Sequence, residues 1–193
     1  MEIMAKLVGL LGSVTPPGRS LRALAFAMEA AREMEEGIEC RLLNLADYRI
    51  SFANGRPPDQ FGDDTGKLVA EVLAADAVVL ASPVYRGSFS GVLKNFLDQL
   101  PVEALRGKPC GVVAVGATHH HYLGVDWHLR DVLAWFGALV APVSVYLCAA
   151  DFAAGELAEN AREQLRELIR SVLKLRALSG ERLGPPPLAA RRS

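Results

Sequence analysis

Apolar residues along this chain fall into two rhythms that alternate. Short unbroken runs at 6–11, 77–81 and 110–115 read as strands buried on both faces, and 139–147 is read as a further strand. The stretch 38–43 alternates apolar and polar positions, which suits a strand nearer the edge of a sheet. Between these runs the apolar positions recur every three or four residues. Leu21, Leu24, Ala25, Met28 and Ala31 predict a helix through about residue 35, with Ser20 at its N-terminus, and residues 65–75 predict a second. Phe89, Val92, Leu93, Phe96, Leu97 and Leu100 line one side of a third, closed by Pro101. Helices are also expected over 122–137 and 155–178. The last carries an apolar stripe (Leu165, Leu168, Ile169, Val172, Leu173) beside the alternating charges of a solvated face.

Five strands alternating with five helices, without repeat or linker, predict an α/β doubly wound parallel sheet. Right-handed crossovers leave few strand orders, and 2-1-3-4-5 suits a chain whose two richest turns follow strands 1 and 3. Residues 46–64 show no period, with Asn54-Gly55 and Pro57-Pro58 as breakers; loops of that length are often functional or interfacial. Residues 1–178 are expected to form the domain, and 179–193, with Pro185-Pro186-Pro187 and a basic end, a mobile tail.

At 193 residues, 51% hydrophobic and 22% charged, the chain is long and apolar enough for one globular core. A formal charge of -1 gives no reason to expect nucleic acid or an anionic membrane as partner. No apolar run approaches the ~20 residues of a membrane span and no signal-peptide pattern opens the chain, so a cytoplasmic protein is expected. Cys40, Cys110 and Cys148 are odd in number and lack paired spacing, which points to buried free thiols rather than a metal site.

Three turns carry candidate chemistry. The first, 12–20, offers the hydroxyls of Ser13, Thr15 and Ser20, the fork of Arg19 and a helix start, a set suited to a phosphate monoester. It has neither a P-loop ending nor a G-x-G-x-x-G spacing, and the same residues could simply cap a helix behind a Pro-rich loop. The second, 83–88, sets aromatic and basic side chains at the carboxyl edge of the sheet, where open α/β sheets bind ligands. The third is Gly116-Ala117-Thr118-His119-His120-His121. Three consecutive side chains do not easily converge on one ion, so no metal is expected there.

Gly12-Ser13 followed by Arg19-Ser20, and Pro83-Val84-Tyr85-Arg86-Gly87-Ser88 followed by Ser90-Gly91-Val92-Leu93-Lys94-Asn95, resemble the NADPH-dependent FMN reductase family. The likeness spans about residues 5–175 and is closest to the FMN reductases of two-component sulfonate-utilising monooxygenase systems, which share a run similar to 116–129. The resemblance implies a flavodoxin-like three-layer sandwich. It implies that Ser13, Arg19 and Ser20 hold the FMN phosphate. Pro83, Val84, Tyr85 and Arg86 would lie along the flavin ring, Gly87 and Ser88 would complete that turn, and Gly116 and Thr118 would form a third flavin loop. Hydride would pass from NADPH or NADH to FMN without an acid–base residue, the protein supplying stacking and alignment.

The resemblance further implies reduced FMN delivered to a partner monooxygenase. A homodimer or homotetramer is also expected, pairing through the third and fourth helices, because Phe96, Leu97, Leu100, Leu133, Trp135 and Phe136 exceed what one core face needs. Trp127 follows Asp126 where the sulfonate-type enzymes carry a Tyr. Two other readings stay open: an FMN-bound reductase of quinones, azo dyes or metal oxyanions, and an electron carrier or flavin-binding module. The near-neutral charge weighs against the carrier, since carriers of this fold are usually strongly acidic.

Overall fold

The computed structural model describes residues 5–14, 18–181 and 183–185. The strands are β1 (Lys6–Leu11), β2 (Glu39–Asn44), β3 (Ala77–Pro83), β4 (Pro109–Val115), β5 (Leu139–Val140) and β6 (Val145–Leu147). They pair in parallel in the order β2-β1-β3-β4-β5, with β6 also on β4, as the sequence predicts. The helices α1 (Arg19–Met34), α2 (Thr65–Leu73), α3 (Gly91–Leu97), α4 (Tyr122–Phe136) and α5 (Glu159–Leu175) cover both faces.

Successive strand residues point to opposite sides, so each strand feeds two cores. Val8, Leu10, Val78, Leu80 and Val112 pack against α2, α3 and α4. Leu7, Leu11, Val79, Val113 and Val115 pack against α1 and α5. This double burial is why the central strands carry no polar alternation. The edge strand β2 does alternate, with exposed Glu39 and Arg41.

Several boundaries differ from the pattern-based expectation. The fifth strand breaks into β5 and β6 around Pro142, which has no N–H for a ladder. Arg130 of α4 fills the gap, donating to the Ala141 and Pro142 carbonyls at 2.9 and 3.2 Å and pairing with Asp126 at 2.8 Å. The last helix starts four residues late because β7 (Phe152–Ala153) and β8 (Glu156–Leu157) form a hairpin first, turning through Ala154 and Gly155, both at positive φ. The first helix has Gly18 as its N-cap, with Ser20 inside it. The third is capped by the Ser90 hydroxyl, which accepts the Leu93 N–H at 3.2 Å, so Phe89 precedes it.

The six apolar residues expected to face a second subunit are accounted for differently. Phe96, Leu97, Leu100, Leu133 and Phe136 are buried within the chain, and Trp135 alone is about half exposed. Loop 46–64 holds two short 3-10 turns and is pinned to α3. Asn95 accepts the Ala53 N–H at 2.9 Å and donates to the Ser51 carbonyl at 3.0 Å, where Gln99 also donates. Among the described residues no helix is long and apolar enough to cross a membrane. Thr15 and most of the expected tail, residues 182 and 186–193, lie outside the described residues.

Candidate functional site

The exits of β1, β3 and β4 sit side by side at the carboxyl edge of the sheet. Each is tied to its neighbour by one backbone bond: Gly12 N–H to Ala81 O at 2.8 Å, Val84 N–H to Val115 O at 2.9 Å and Gly116 N–H to Leu147 O at 2.8 Å. The three turns singled out in the sequence therefore meet on one rim.

The first turn begins at Gly12, where a Cβ would stand 2.5 Å from Leu93 Cβ and 2.9 Å from the Ser90 hydroxyl. Only glycine lets this turn lie against the start of α3. Ser13 and Ser20 are buried, while Arg19 is exposed with its guanidinium carbon 6.0 Å above the Phe152 ring. The N-cap of α1, Gly18, makes no side-chain capping bond, and this sixteen-residue helix has no acidic residue in its first turn. Its leading N–H groups and the positive end of its dipole thus suit an anion.

The second turn is a two-residue hairpin. Tyr85 and Ser88 exchange backbone bonds at 2.8 and 3.0 Å, and between them Arg86 and Gly87 lie at φ 52° and 77°. Two successive positive φ values define a type I′ turn, which a glycine accepts freely and an arginine does not. The turn is supported from beneath and from one side. Buried Ser82 accepts the Ser90 N–H at 2.9 Å, and His128 of α4 meets the Ser88 hydroxyl at 2.9 Å through Nδ1. Gly124 brings α4 so close that a Cβ there would overlap the Gly87 carbonyl. A Cβ on Gly87 or on Gly91 would meet nothing within 4 Å, so the turn and the start of α3 face open space. Pro83 and Val84 are half buried, and Tyr85 and Arg86 are exposed above them.

At the third turn Gly116 is needed because a Cβ would strike the Tyr146 hydroxyl. That hydroxyl donates to the Thr118 carbonyl. Burial first, then the nearby Cys148 and Asp151, raise the Tyr146 pKa, so it remains a donor. Trp127 is 63% exposed rather than packed in the core, and His120 is exposed; the side chain of His121 lies outside the described residues.

Periodicity alone had no means of finding the partners that cross between elements: Gly124 and His128 against the second turn, Asn95 against loop 46–64, Tyr146 against Gly116. A glycine in the first turns of a helix was the one local signal, since it costs helix stability without a packing reason.

The architecture defines the class. An NADH:FMN oxidoreductase (EmoB, apo form) superposes over 98% of this chain and 97% of its own with a TM-score of 0.76 at 22% identity. An archaeal flavodoxin superposes over 88% and 98% with a TM-score of 0.63 at 10% identity. The fold is flavodoxin-like. The family model for NADPH-dependent FMN reductase matches residues 5–153, and the chain belongs to that family of oxidoreductases. An NAD(P)H-dependent FAD/FMN reductase of Geobacillus thermodenitrificans is 37% identical over 141 residues, 73% of this chain and 76% of that one. The NADH-dependent FMN reductase SfnF of Pseudomonas fluorescens is 31% identical over 180 residues, 93% and 90% of the two chains. The protein is an NAD(P)H-dependent FMN reductase.

Proposed function

We propose that this enzyme supplies reduced FMN to a separate monooxygenase. The observation that carries the reading is a sixteen-residue helix start, with Gly18 as N-cap and no acidic residue in its first turn, set across Gly12 beside an open left-handed turn bearing Tyr85 and Arg86. An open rim suits a flavin that enters and leaves. The match to two reductases named SfnF and one named SfnE supports the same assignment.

The residues present fit FMN. The start of α1, with Ser13, Arg19 and Ser20, offers N–H groups, hydroxyls and a cation to a phosphate. Pro83, Val84 and Tyr85 give an apolar and aromatic wall, Arg86 a cation at its edge, and Gly87 and Ser88 a turn that backbone can approach. Gly116 and Thr118 close the far side. When bound, FMN supplies the two-electron chemistry, accepting hydride from the nicotinamide. The chain's own work is alignment: the staircase of strand-end bonds and the α4 clamp hold the three turns at fixed spacing before any ligand arrives.

The test is NADPH and NADH oxidation by purified protein, titrated with free FMN and repeated with a quinone. A rate that rises and saturates with FMN is expected. Turnover only with the quinone, on one retained FMN, would replace this reading by that of an FMN-bound quinone reductase. Flavin bound without nicotinamide oxidation would leave an electron carrier.

A further inference from the structure

The loop after β4 and the loop after β6 meet at three side chains that the flavin reading does not use: His119, Cys148 and Asp151. Their ligand atoms all lie within 4.8 Å of one another. His119 Nε2 is 3.5 Å from Cys148 Sγ. Cys148 and Asp151 are buried, while His119 is exposed and closes the group from the solvent side. The pair beneath is built by its own backbone. The Cys148 N–H donates to Asp151 Oδ2 at 2.8 Å, and the Cys148 sulfur accepts the Asp151 N–H, so thiol and carboxylate are held side by side.

We infer that His119, Cys148 and Asp151 form a binding site for a divalent transition metal of the zinc class. A tetrahedral ion with a metal–sulfur bond of about 2.3 Å and a metal–nitrogen bond of about 2.0 Å keeps those two atoms about 3.5 Å apart. The His119–Cys148 separation already has that value. The carboxylate oxygen lies within 4.8 Å of both atoms. One thiolate, one imidazole and one carboxylate make a mixed S, N, O set that suits zinc, and cobalt as its spectroscopic substitute, better than magnesium or calcium. A thiolate and a carboxylate also bring two negative charges to balance a divalent ion. Three protein ligands leave the fourth position to water, on the solvent-facing side where exposed His119 lies.

The consequence is local. An ion here ties the loop that follows Gly116 to the end of β6, next to Thr118, whose carbonyl the Tyr146 hydroxyl already holds. The sequence shows no such site because the ligands come from positions 29 and 32 apart, and only the paired ends of β4 and β6 bring them together. This inference does not rest on flavin binding.

The test is a cobalt titration of the full chain after treatment with a chelator, followed as difference spectra. One ion per chain is expected, with intense tetrahedral visible bands beyond the flavin absorption, thiolate-to-cobalt charge transfer, and displacement by zinc. His119→Ala, on an exposed residue, and Cys148→Ser are expected to weaken binding at least about tenfold. His120→Ala, one residue along the same turn, is expected to leave binding unchanged. Weak octahedral cobalt spectra without thiolate charge transfer, or equal binding by His119→Ala, would reduce the group to a thiol–imidazole hydrogen bond and overturn the proposal. Loss of binding in His120→Ala would assign the ion to the surface histidines instead.

Discussion

Arg86 holds a backbone conformation that strains any side chain, at φ 52°. The left-handed region costs a non-glycine residue about 1 kcal/mol or more, whereas glycine costs about 0.4–1 kcal/mol through the freedom it adds to the unfolded chain. The two effects nearly cancel. Arg86→Gly is therefore expected to change stability by less than about 1 kcal/mol in a urea melt, while the proposed place of Arg86 at the flavin edge predicts a lower FMN affinity, read by flavin fluorescence. Gly124 poses the opposite case. Alanine inside a helix is worth up to about 1 kcal/mol over glycine, yet a methyl group at this position overlaps the Gly87 carbonyl. Forcing packed elements apart costs roughly 1–3 kcal/mol, so the clash wins. Gly124→Ala should destabilise the protein and weaken FMN binding together, in the same two assays. Asp63 sets a pH dependence. Hydrogen bonds from Ser51 and Thr65 hold its carboxyl well below the usual carboxylate range. A depressed folded-state pKa stabilises above the unfolded value, about 3.9, and that contribution disappears as pH falls toward the folded value. Thermal melts between neutral pH and about pH 3 should show a shallower acid loss for Asp63→Asn than for the parent chain.

Among the elements, α3 does two jobs. Its buried side carries Leu93, Phe96 and Leu97, and its polar side carries Asn95, which both accepts from and donates to loop 46–64. Removing such a half-buried amide leaves partners unpaired at about 1–3 kcal/mol. Asn95→Ala should therefore lose stability in that range, and the Ala53 amide should exchange its hydrogen faster, since its acceptor is gone. The central strands were readable from the sequence because each is sandwiched between two cores and so carries apolar residues without a break. The fifth reads as continuous in the sequence because Val140, Ala141, Val143 and Val145 keep an apolar composition across a proline that interrupts the ladder. The β7–β8 hairpin escaped because two strands of two residues are too short for any period. The three turns at the sheet edge were located by composition and by resemblance. The contacts that hold them, Gly12 on Leu93 and Gly124 on Gly87, depend on how helices lie over the sheet, which no local pattern encodes.

At the scale of the molecule, one sheet separates two cores, and the same sheet grades two cysteine thiols by depth. Cys110 lies in β4 with no exposed surface, and burial pushes its thiol up to about 12. Cys40 sits in the edge strand β2, partly open, and burial raises its thiol as well. Alkylating reagents need a thiolate and a path to it. Cys40 is therefore accessible once the sheet margin frays, whereas Cys110 requires the two cores to part, an event that approaches complete unfolding. Timed alkylation of the resting protein, read by mass spectrometry, would thus separate fraying of the margin from loss of the whole fold, with no probe added to the chain.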